Sequence, residues 1–124
     1  MGMKYLLLIY AAEDAYGLGE REKCFEQSIA LTHELKESGH YVHASPLELS
    51  DTASSVRVRN GEATTTDGPY AETREQLGGY YLVDAKDQAE AVEIAKRIPG
   101  ARFGTVEVRP IKHLDGLPES NLAS

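Results

Sequence analysis

The sequence predicts an α+β domain in which a split βαβ arrangement places two helices on one face of an antiparallel sheet. Two short runs, Tyr5 to Tyr10 and Tyr80 to Val83, are apolar throughout and read as strands covered on both faces. An amphipathic helical stretch follows each of them, and alternating β-prone segments supply the remaining strands. The 124 residues suffice for one core, so residues 1–113 are expected to form a single domain and 114–124 a flexible tail too poor in apolar residues to join it.

The first strand, Tyr5 to Tyr10, leads through a glycine-containing loop into a helix from about Glu20 to Ser38. On that helix Cys24, Phe25, Ser28, Leu31, Thr32 and Leu35 share one arc at the helical period, while Glu22, Glu26, His33 and Glu37 lie opposite. Gly39 supplies a left-handed stop. His40 to Leu49 reads as an edge or bent strand interrupted at Pro46. Ser54 to Arg59 alternates, the Asn60-Gly61 turn follows, and Glu62 to Thr66 is a further β-prone segment. After the strand through Tyr80 to Val83, a second helix from about Asp87 to Ile98 carries Ala91, Val92, Ala95 and Ile98 on one face. Thr105 to Lys112 closes the order as the last strand. Two helices cover only one face of the sheet. The second face of the two apolar strands calls for another sheet, most simply that of a second subunit, so a homodimer packed sheet to sheet is expected.

Composition narrows the partners. The formal net charge of −7 opposes phosphate backbones and anionic headgroups, which disfavours nucleic acid and membrane. The single cysteine, Cys24, cannot close an internal disulfide, and this points to a reducing, cytoplasmic address. The apolar run at the N-terminus reaches the lower limit of a signal peptide, yet the same residues make a good central strand. No P-loop or dinucleotide fingerprint is present, and no cofactor is expected. His40 and His43 stand three positions apart at the start of a strand and point to opposite faces, which argues against a shared metal ion.

The chemistry concentrates between Thr64 and Ala85. Asp67, Gly68 and Pro69 form a turn: an acceptor carboxylate, a residue free to take positive φ, and a ring that fixes φ. Asp67 fits two compatible roles there. Its carboxylate could accept backbone N–H bonds in an Asx-turn, or serve as a general base if neighbouring Glu72 or Glu75 raised its pKa. His40 is the candidate proton partner. Glu72 and Glu75 could hold substrate or a cation, orient Asp67, or pair with Arg74 and Arg109. Arg109 could clamp a substrate carboxylate or stand as an exposed strand residue. Gly78 and Gly79 suit a bulge or a close backbone approach. Cys24 reads as core, and Tyr80 and Tyr81 as core and interface. These residues support a small-molecule enzyme of lyase or isomerase type with Asp67 as base, or a non-catalytic small-ligand-binding module.

The segments MKYLLLIY, DGPYAETREQLGGYYLVDA and VEVRPIK together resemble the YCII-related family, specifically its DGPF-domain branch, over about residues 3 to 113. The resemblance implies a ferredoxin-like fold that dimerises into an α/β barrel. It implies little about reaction: one relative in the wider family removes chloride from a hydroxylated aromatic ring. Members of this branch are often encoded beside extracytoplasmic-function sigma factors, which implies a regulatory alternative. The wider family is described by a histidine on the first helix paired with an aspartate. Here that helix carries only His33, near its C-terminal end, whereas Asp67 matches the aspartate of the DGPF motif.

Overall fold

A computed structural model describes residues 2–119. The chain runs β1 (Met3–Ala11), α1 (Glu20–Glu37), β2 (Tyr41–Pro46), β3 (Ser54–Arg59), β4 (Glu62–Asp67), β5 (Gln76–Ala85), α2 (Gln88–Lys96) and β6 (Gly104–Pro110), with short 3₁₀ turns before β3 and β6. Four strands form one sheet in the order β2-β5-β1-β6, each antiparallel to its neighbours. This is the ferredoxin-like split βαβ arrangement, with the β3–β4 hairpin inserted between β2 and β5 as a separate two-stranded sheet.

Both helices lie on one face. Leu31 and Leu35 of α1, with Ala91, Ile94 and Ala95 of α2 and the following Ile98, bury against Tyr5, Leu7, Tyr81, Val83 and Ala85 of the two central strands. Register explains the selection. Tyr5 pairs with Val83 and Leu7 with Tyr81 on the helix side, whereas Leu6 pairs with Leu82 and Leu8 with Tyr80 on the other. Among the described residues, no helix packs on that other face. Its centre is Leu6, Leu8, Tyr80 and Leu82, flanked by His43 of β2 and by Glu107 and Arg109 of β6.

The local sequence sets the ends of these elements. Pro46, the last residue of β2, ends the strand three residues before the expected Leu49, because proline donates nothing to a ladder. Asp87 caps α2 by accepting from the Glu90 N–H at 2.9 Å, and the Glu90 carboxylate accepts from the Lys86 N–H at 2.9 Å. Gly78 is the extra residue of a β-bulge: Ile9 faces Gly79, and Tyr10 then faces Leu77. At Gly79 a Cβ would stand 3.0 Å from the Ser45 carbonyl oxygen, so β2 approaches closely there.

Two expectations change. Phe25, placed on the buried arc of the first helix, is 42% exposed. The hairpin, read as strands of the main sheet, projects from it: Val56 is 65% and Val58 58% exposed, and no other element makes substantial contact with it among the described residues. Of the expected tail, residues 114–119 are exposed, and residues 120–124 lie outside the described residues.

Candidate ligand cavity

A cavity of about 440 Å³ lies between the stretch of α1 from Arg21 to Thr32 and the sheet. Two apolar stripes on the helix produce it. Cys24, Leu31 and Leu35 are buried along one line, while Phe25, Ile29 and Thr32, spaced four and three residues apart, form the next. The first stripe seats the helix; the second roofs the cavity, with Ile29 59% exposed at its lip. Below lie Ile9, Ala44, Gly78, Gly79 and Tyr81. The small residues among these leave volume that larger side chains would fill. Leu47, Glu48 and Leu49, the segment following β2, close one side.

Several polar side chains line the cavity, among them Thr32, Ser45, Gln76 and Tyr81, and these are satisfied within the fold. The Tyr81 hydroxyl donates to the Ser28 carbonyl oxygen at 3.2 Å. The Arg21 guanidinium lies 4.4 Å above the centre of the Tyr16 ring and donates to the Glu13 carbonyl oxygen at 2.9 Å. The Glu13 carboxylate accepts from the Ser50 N–H at 2.7 Å and from its hydroxyl at 2.9 Å, so it ties the loop after β1 to the loop before β3. Burial pushes the Cys24 thiol up, and the Tyr16 and Tyr81 hydroxyls likewise. All three are therefore neutral near pH 7, and Cys24 is not held as the reactive thiolate.

A second, more open hollow of about 950 Å³ lies beyond the Leu47–Leu49 segment. Tyr10, Pro69, Tyr70, Glu75, Leu77 and Glu107 contribute to its walls. The Tyr10 hydroxyl is pushed up, first by burial and then by the Glu107 carboxylate. Leu47, Glu48, Leu49 and Gln76 line both spaces.

Asp67 closes β4 opposite Ser54, is exposed, and lines neither cavity. The turn it opens is held by others: Gly68, at φ 99°, donates its N–H to Ala53 at 2.6 Å, and its carbonyl accepts from the Ser55 hydroxyl at 2.8 Å. His40 sits beside α2, with Nε2 3.3 Å from Glu90 and Nδ1 2.8 Å from the Ser38 hydroxyl. Six residues of β2, about 20 Å of strand, lie between His40 and the segment that leads to the hairpin, so the fold does not bring His40 to Asp67. Glu72 is exposed. The Glu75 carboxylate accepts from the Thr105 hydroxyl at 3.0 Å and lines the second hollow. Arg109 faces Leu6 on the open side of the sheet and pairs with Glu107 at 3.3 Å. Among the described residues, no group of three or more His, Cys, Asp or Glu is placed to hold a metal ion.

Sequence reasoning passed over Arg21, Glu13 and the cavity face of α1. The available signal was the width of the apolar arc: Phe25 and Ile29 continue it beyond what contact with a single sheet requires.

Fold and site together define a small ferredoxin-like α+β protein with an apolar cavity between its first helix and its sheet. The chain belongs to the YCII-related domain family, whose model matches residues 3–115. An uncharacterized protein of Rhizobium meliloti (strain 1021) is 33% identical over 114 residues, covering 88% of this chain and 92% of that protein.

Proposed function

We propose that this protein binds a small, largely apolar molecule in the cavity beneath α1. The cavity itself carries the reading: about 440 Å³ falls within the usual range of ligand pockets, and its walls are mostly apolar with polar side chains among them. Neutral Cys24, Tyr16 and Tyr81 suit retention of a ligand better than nucleophilic attack on it. A ligand-responsive module also fits the sigma-factor association implied by the DGPF branch, in which the Asp67-Gly68-Pro69 turn supports placing the chain. The lyase or isomerase reading ranks behind it, because Asp67 is exposed and His40 stands at the far end of β2. A second copy of the chain laid on the open face of the sheet completes the proposal, and the lone buried Cys24 fits a reducing cytoplasm.

The test is a thermal-shift screen of the wild type and Ala44→Leu against small aromatic and alicyclic compounds. Ala44 lines the cavity from β2, so a larger side chain there reduces the space. A ligand at a hundredfold its Kd stabilises the wild type by about 2.7 kcal/mol, and Ala44→Leu should lose that gain. A compound that stabilises both proteins equally binds elsewhere and overturns the assignment.

A further inference from the structure

We infer that the β3–β4 hairpin is an arm that grips a second copy of this chain, its apolar face seated in that copy's second hollow. This rests on the second copy proposed for the open face of the sheet. Register divides the hairpin into two faces. Val56 opposite Thr65 and Val58 opposite Ala63 form one, and Arg57 opposite Thr64 and Arg59 opposite Glu62 form the other. Both valines are exposed. A lone two-stranded hairpin is marginally stable in water and needs a further strand or layer against its apolar face. Each strand of the arm has six residues, about 20 Å, and the arm makes no substantial contact with its own chain among the described residues. Its cover therefore comes from another molecule.

Area identifies that molecule as a second copy. A stable interface takes about 800 Å² from each partner. The four-stranded face, at about 4.8 Å per strand and about 3.3 Å per residue, has a footprint of only about 450 Å² over the paired length of β1 and β6. On the same measure the apolar face of the arm adds about 200 Å², and two-fold symmetry counts it twice for each subunit, once as arm and once as seat. The arms thus bring the interface to the size a stable dimer needs. The seat lies where the open face meets the base of the hairpin. Tyr10, Thr105 and Glu107 of the sheet and Ser55, Pro69 and Tyr70 of the hairpin base all border the second hollow. Leu47, Leu49, Tyr70 and Leu77 leave exposed apolar surface around it. Two arms laid side by side in opposite directions place the tip of each at the base of the other.

Sedimentation equilibrium over a dilution series tests this on four proteins: the wild type, Val56→Asp with Val58→Asp, Thr64→Asp with Thr66→Asp, and Leu8→Glu. The threonine pair adds the same charge to the opposite face of the arm. The valine pair should raise the dimer Kd at least about tenfold, because it buries unpaired charge, while the threonine pair stays within about threefold of the wild type. Trypsin gives a readout that needs no change in the arm. Above its Kd the wild type should resist cleavage at Arg57 and Arg59 under conditions that cut Leu8→Glu there. If the valine and threonine pairs associate alike while Leu8→Glu is monomeric, the arm inference is overturned and the sheet-to-sheet reading stands. A wild type that is monomeric at every concentration overturns both, and a different molecule then covers the arm.

Discussion

At Asp67 the chemistry of the residue type and its surroundings part company. A carboxylate in an Asp-Gly-Pro turn suggests a site, but this one is exposed and the turn is held by bonds to Gly68. Asp67→Asn should therefore shift stability by no more than about 0.5 kcal/mol, which a urea titration measures; a loss of 2 kcal/mol or more would mean that the carboxylate supports the turn after all. Gly104 is the opposite case, an inconspicuous residue on which the sheet depends. A Cβ there would overlap the Tyr10 carbonyl oxygen, where β6 pairs with the end of β1. Gly104→Ala should cost about 3 kcal/mol or more, read in the same titration, because backbone rather than a mobile side chain must give way.

At the scale of elements, the sequence displayed those whose periodicity is unmixed. The first helix lies within one residue of the expected span, and α2 lies inside its own, because apolar positions at the helical period coincide with clear stops at Gly39 and Pro99. The cap of α2 is testable on its own: Asp87→Ala should cost about 1 kcal/mol in a thermal melt, since the Glu90 N–H loses its acceptor. Where reading stopped short, two structures shared one pattern. Alternation in Ser54–Arg59 and Glu62–Asp67 is the same whether a hairpin joins the main sheet or stands apart from it, and only the tertiary pairing separates these cases. Helical period likewise placed Phe25 beside Cys24 without saying that Phe25 would border a cavity and stay 42% exposed.

At the scale of the molecule, one apolar face of the sheet is packed and the other is open. The dimer proposed for that open face predicts that Leu8→Glu, at the centre of β1, converts a dimer into a monomer in light scattering at micromolar concentration. A wild type already monomeric would exclude sheet-to-sheet association. Charge gives a second global prediction. The folded chain raises the pKa of Cys24, Tyr10, Tyr16 and Tyr81, chiefly through burial. Their unfolded counterparts lose protons first, from about pH 8.5 for the thiol and about pH 10 for the phenols. Stability is thus full below those values and is lost as pH rises through the raised folded ones, so the urea midpoint should fall steadily between about pH 8.5 and 11. An unchanged midpoint over that range would contradict the burial of these groups.

The segment Leu47–Leu49 forms part of the wall of both cavities. It is tied at one end by the Leu47 N–H to the Gly78 carbonyl and at the other, through Ser50, to the Glu13 carboxylate. A guest that displaces this partition from one side alters the space on the other. Whatever factor a molecule in the first space imposes on the affinity of the second, occupancy of the second must return in equal measure. Two compounds titrated together, each against a fixed concentration of the other, would read that reciprocity directly.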